Sequence, residues 1–204
     1  MTGAVPVPAV DGRRQRSERT RQLIIEAYLA LLRTKPRIPT SSEIAERAGY
    51  SVRSVFERFP DLLSLRIAAT DYAVALGTGQ APLRDTDADR RTRIHSQVGT
   101  RAQVCEGWLP LWRALNANCG ESAELKARIA LIREAIRTRL GIMYGPELST
   151  LDGRRRQHTL IALEAITDFE SWARMRDDNR LSVEQACAVW ITAIDRLLPP
   201  TPAA

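Results

Sequence analysis

Between Thr40 and Arg58 the chain carries small hydroxyl residues and arginines at a spacing suited to contacting an anionic polymer. Thr40 and Glu43 stand three apart as a capping box, the arrangement that satisfies free N–H groups at a helix start. Ile44, Ala45 and Ala48 give that helix one apolar stripe, and Gly49 supplies the left-handed residue that ends it. Ser51 then caps a second helix, Val52 to Arg58. Its spacing turns Val55, Phe56 and Phe59 inward and leaves Val52, Arg53, Ser54 and Arg58 pointing out. Two short helices joined by a glycine turn, with polar and basic residues at the front of the second, make a helix-turn-helix. The chemistry such residues offer is hydrogen bonding to phosphates from Thr40, Ser41, Ser51 and Ser54, with Tyr50 packing on sugar or backbone. Arg53, with its bidentate fork, is the candidate for reading base edges.

The run Thr40, Ile44, Ala45, Ala48, Gly49, Ser51, Ser54, Val55, Phe56, Phe59, followed by Asp61 to Leu65, resembles the DNA-binding signature of the TetR family of transcriptional regulators. The resemblance spans roughly residues 17 to 70. It departs from the family pattern at Phe56, where a tyrosine whose hydroxyl reaches a phosphate is usual. Leu62 stands where a lysine is usual, and Tyr50 replaces a small aliphatic residue. The resemblance implies an all-α fold, with an N-terminal three-helix DNA-binding head and a C-terminal helical body. That body would bind a small effector and dimerise through a four-helix bundle built from the last two helices of each subunit.

Charge placement agrees. The 204 residues carry a net charge of +6. Residues 1 to 60 hold 11 Arg or Lys against 6 Asp or Glu, and the remainder 19 against 18, so the excess sits at the front. Lys35 and Lys126 are the only lysines, so nearly every positive charge is a guanidinium. Cys105, Cys119 and Cys187 lack paired spacing and read as reduced thiols of a cytoplasmic protein, with no metal or cofactor expected. The first ten residues do not form a secretory signal, and no apolar run reaches membrane-spanning length.

Around the motif, residues 1 to 16 read as a flexible arm made basic by Arg13, Arg14 and Arg16. Residues 17 to 60 read as the head and 61 to 204 as the body. Ser17 is expected to cap a first helix with Leu23, Ile24, Ala27, Tyr28, Leu31 and Leu32 on one face, stopped by Pro36 and Pro39. A fourth helix starts at Asp61 and ends at Gly77 and Gly79; in the family it links head to body. Residues 78 to 88 read as a loop. From Asp89 a helix carries Ile94, Val98, Ala102 and Cys105, and Gly107 and Pro110 are expected to break it before a second piece reaches Asn118. Residues 122 to 143 form a helix with Leu125, Ile129, Ile132, Ile136, Leu140 and Met143 at regular spacing. Two further helices, 155 to 176 and 183 to 198, are apolar over more than one stripe, the mark of burial on two sides.

Catalysis finds no support. His95 and His158 sit on different helices, and Glu164, Asp168 and Glu170 are ordinary helical neighbours. An apolar effector pocket is placed at Trp108 and Trp112, one turn apart, with Asn116 one turn further and Cys105, Met143, Trp172 and Met175 completing it. The sequence therefore points to a dimeric, ligand-released repressor on a double-stranded, pseudo-palindromic operator. The rivals are an effector-free regulator of the same fold, and a helical carrier or enzyme whose head is vestigial.

Overall fold

A computed structural model describes residues 12–34, 37–120 and 122–203, with Arg13 described by its backbone alone. The regular structure of the described residues is all helical, without a strand. They fall into two compact units that divide between Ala69 and Thr70. The expectations for residues 1 to 11 and for Pro36 lie outside the described residues.

The first unit is built on α1 (Gly12–Thr34), α2 (Ser41–Ala48), α3 (Val52–Arg58) and the opening of α4 (Leu62–Gln80). Its core is Ile24, Ile25, Ala27, Tyr28, Leu29 and Leu32 of α1, with Ile44, Ala45, Val55, Phe59, Leu65 and Ala69. Residues 12 to 16, expected in a flexible arm, belong to α1 instead, and Ser17 lies inside the helix rather than at its start. Nothing there breaks a helix: Arg, Gln and Glu are good helix formers, and Thr20 bonds its hydroxyl back to the Arg16 carbonyl.

The second unit comprises the rest of α4, α5 (Arg90–Asn118), α6 (Ala123–Met143), the short α7 (Gly145–Leu148), α8 (Gly153–Ile166), α9 (Phe169–Ala173) and α10 (Val183–Leu197). A π-helical turn, Arg174–Asp178, follows α9. Asp89, Ser122, Asp152, Asp168 and Ser182 each cap the helix that follows them.

Three expectations are corrected. α4 does not stop at its glycines but runs through Gly77 and Gly79 to Gln80. α5 does not break at Gly107 and Pro110. It continues to Asn118 because Trp108, Leu109 and Trp112 carry on the stripe of Ile94, Val98, Ala102 and Cys105 against the same apolar cluster, while Leu111 and Ala114 are buried on another side of the helix. An interior proline costs about 3 kcal/mol, less than burial of two or three such side chains returns. The expected single helix 155 to 176 is in turn divided at Thr167 and Asp168. Asp168 adopts an extended backbone and accepts from the Ser171 N–H at 2.6 Å, while buried Arg101 donates to the Thr167 carbonyl at 2.8 Å. A break held by a side chain from another helix leaves no hydrophobic-period signal.

The core of this unit is one apolar cluster drawn from α5, α6, α8, α9 and α10. A buried polar seam runs beside it. Glu147, with no exposed surface, is bonded by Arg93 and by the Thr201 hydroxyl at 2.5 Å. Arg90 meanwhile holds the carbonyls of Asp195, Leu198 and Pro199.

Candidate nucleic-acid interface

Residues 40 to 59 fold as their side-chain chemistry dictates. Thr40 caps α2: its hydroxyl accepts from the Glu43 N–H at 3.3 Å, and the Glu43 carboxylate accepts from the Thr40 N–H at 2.9 Å. Gly49 closes α2 in the left-handed region at φ 75°, where a Cβ is strained. Ser51 caps α3 by accepting from the Ser54 N–H at 3.1 Å. Arg37 lies 2.5 Å from Glu43. That hydrogen bond, then those from Thr40, lowers the Glu43 carboxyl to about 2.

The face α3 offers to solvent differs from expectation at one position. Val55 and Phe59 are buried, but Phe56 is 43% exposed. At 100° per residue it lies beside Val52, between Arg53 and Phe59, and 100° from Val55, at the edge of the buried face. Arg21 sits over the Phe59 ring at 4.7 Å and ties α1 to α3. The outward face therefore reads Val52, Arg53, Phe56 and Glu57, with Ser54 and Arg58 at its half-buried margin. Glu57 was missed by the sequence reading, although its spacing of four from Arg53 is the mark of a helical ion pair.

The remaining candidates surround that face. The Thr40 N–H and O–H are both committed to Glu43, whereas half-buried Ser41 makes no such contact. Ser51 and Ser54 share one hydroxyl–hydroxyl bond of 2.9 Å, which leaves one of their two protons to donate outward. The Thr20 hydroxyl gives its one proton to the Arg16 carbonyl at 2.9 Å, so the contact of 3.4 Å between the Thr20 and Tyr50 hydroxyls takes the proton of Tyr50. Arg14, Arg16 and Arg19 of α1 and Arg47 of α2 are exposed on the same unit.

Solved structures now speak to this arrangement. No family model and no curated protein matches the sequence. A TetR-family transcriptional regulator from Streptomyces coelicolor superposes with a TM-score of 0.72 at 20% identity, covering 88% of this chain and 80% of that one. A Rhodococcus sp. protein described as a regulator of the same family gives 0.65 at 20% identity, with coverages of 89% and 99%. The multidrug binding protein EbrR, complexed with imidazole, gives 0.62 at 25% identity, with coverages of 98% and 100%. The chain has the TetR-family fold.

Within that fold the pocket candidates of the body are brought together, but as packed core. Cys105, Met143 and Trp172 are buried in the apolar cluster, Met175 nearly so, and Trp108 and Trp112 pack against it. Trp112 stacks on Phe169 at 4.9 Å, and Trp172 tilts against Trp190 at 4.7 Å while donating to Glu106 at 2.7 Å. Trp108 donates to Gln80 at 3.2 Å. Asn116 stands outside the cluster, its amide turned back on the Trp112 carbonyl. Burial pushes the Cys105 thiol up to about 12. The Trp190 indole N–H and the Tyr144 hydroxyl, both buried, have no hydrogen-bond partner among the described residues.

Other candidates resolve simply. His95 and His158 are exposed on α5 and α8. Glu164 and Glu170 bond Arg137 and Arg113, and Asp168 caps α9. Among the described residues no group of three His, Cys, Asp or Glu is placed to hold a metal, and no helix is long and apolar enough to cross a membrane. The outer side of the C-terminal helices leaves Ile161, Val183, Val189 and Leu197 exposed. Ala188, Val189, Thr192, Ala193 and Arg196 line an open groove of about 640 Å³.

Proposed function

We propose that this protein is a DNA-binding transcriptional regulator that docks α3 in the major groove of a duplex. The observation that carries the reading is the doubly capped α2–Gly49–α3 unit, which holds a short helix with Arg53, Val52 and Phe56 turned to solvent on a basic head. Arg53 reads a base edge. The Tyr50 phenol and the spare hydroxyl proton of Ser51 and Ser54 reach phosphates, with Ser41, Arg58 and the exposed arginines of α1 beside them. For this Tyr50 would turn its proton from Thr20 to a phosphate, a phenolic donor on a head whose Phe56 has none.

Two finer features belong to the same reading. The exposed apolar residues of α8 and α10 support a homodimer through those helices. Two copies of α3 would then meet a pseudo-palindrome with half-sites about 34 Å apart, or a multiple of it. An apolar effector bearing one hydrogen-bond acceptor suits the body, because the orphaned Trp190 N–H is a buried donor on a ring that packs against Trp172. EbrR, a neighbour in fold, is a multidrug binding protein. Release of the operator by such a ligand makes the protein a repressor.

Titration of the full chain against genomic duplexes at about 0.15 M salt tests the central claim. Specific binding to a subset of fragments is expected. In that subset Arg53→Ala should relax sequence preference, whereas Arg58→Ala should weaken all duplexes alike. Equal affinity for every fragment would reduce the head to non-specific electrostatics and sink the proposal.

A further inference from the structure

The exposed face of α3 carries a carboxylate where a polyanion is to be met, and its geometry has a specific consequence. Arg53, its side chain 88% exposed, donates from Nε to Glu57 Oε1 at 3.0 Å. That contact takes the inner edge of the guanidinium and leaves the two terminal Nη groups, which have no partner among the described residues, at the free end of the fork. A guanine presents N7 and O6 side by side in the major groove, two acceptors matched to two such donors. An adenine presents N7 beside an N6 amino donor, which an arginine cannot meet.

We propose that Glu57 is a positioning residue that holds Arg53 end-on for a guanine, so that each half-site reads a G·C pair at that place. The inference rests on the reading that α3 enters the major groove, and it adds the base and the residue that selects it. In water an exposed pair of this kind is weak and screened by salt. Between helix and groove the same pair is dehydrated, so its attraction rises where it is needed. The carboxylate meanwhile repels phosphates. Removing it should therefore act in opposite directions on two kinds of duplex, gaining affinity where only the backbone is contacted and losing discrimination at the guanine.

The test uses the full chain and a duplex selected from a random pool by the wild type at about 0.15 M salt. Two changes are made at the read position, G·C to A·T and guanine to 7-deazaguanine, and compared with the unchanged duplex. Wild type should prefer G·C over A·T by roughly 5- to 150-fold, the range of one good bidentate contact. Arg53→Ala should abolish that preference and the sensitivity to 7-deazaguanine. Glu57→Ala should cut the preference by about tenfold while tightening binding to non-operator duplex. Glu57→Gln, which keeps an acceptor for Nε, should restore much of it. Both Glu57 variants change an exposed residue, and unchanged circular dichroism confirms the fold. A Glu57→Ala variant with full preference for G·C overturns the proposal. Lost preference with intact 7-deazaguanine sensitivity also overturns it, since Glu57 would then be contacting the base pair itself. If no duplex is selected from the pool, the DNA-binding reading fails first.

Discussion

Removing the Glu147 carboxylate should be among the most damaging single changes in the body. Glu147 has no exposed surface and Arg93 is 4% exposed, so the pair lies in the interior of the second unit. Arg93 also donates to the Ala88 carbonyl at 2.7 Å, which anchors it and prevents a swing to solvent. Glu147→Ala leaves a buried guanidinium unpaired, a loss of about 3–5 kcal/mol. The Thr201 hydroxyl and Arg90, 4.0 Å away, lose the same acceptor. For a unit of about 135 residues each kcal/mol is worth roughly 3–5 °C, so the melting point should fall by about 10–20 °C. The double variant Arg93→Met with Glu147→Leu should recover most of that loss, because apolar residues of similar volume need no partner. Thermal unfolding followed by far-ultraviolet circular dichroism on wild type, single and double variants decides the matter. A single variant that melts within about 3 °C of wild type would mean that Arg93 finds water, and the argument from burial would be wrong.

Three further outcomes are expected. The Glu43 carboxyl, held near 2 in the folded chain against an ordinary 4.5, contributes stability that is present above pH 4.5 and lost as pH falls toward 2. Arg37→Ala should raise its midpoint in an NMR carboxyl titration, and an unmoved midpoint would remove Arg37 as the main cause. Ala193→Arg places a charge in the groove on α10 and should separate dimers in sedimentation, with operator affinity falling in step; a wild type that sediments as a monomer at micromolar concentration ends the dimer reading. Phe56→Tyr adds a phenolic donor on the exposed face of α3 and should tighten operator and non-operator duplexes alike by about tenfold, the worth of one hydrogen bond to a charged group. Unchanged affinity in a salt-controlled titration would mean that this ring lies clear of the backbone.

The head was legible in the sequence because its rules are local. A capping box, a left-handed glycine and a second hydroxyl cap each act over three or four residues, so Thr40, Gly49 and Ser51 set the two helices and the turn between them without outside help. The stripes of α6 and α10 and the all-α character were readable for the same reason, apolar residues recurring at helical spacing. Where the reading failed, a distant contact had overruled a local preference. Pro110 stays helical because Trp108, Leu109 and Trp112 around it pack against the same apolar cluster that buries Cys105. The break at Thr167 is held by Arg101, 66 residues earlier in the chain. Phe56 sits midway between exposed Arg53 and buried Phe59 around α3, so spacing left its side open and packing decided it. That Glu147 takes Arg93, that Trp172 is buried and that Trp108 and Trp112 pack against the same apolar cluster depended on helices far apart in sequence coming together. Spacing along one helix fixes which residues share a face; only packing decides what that face meets.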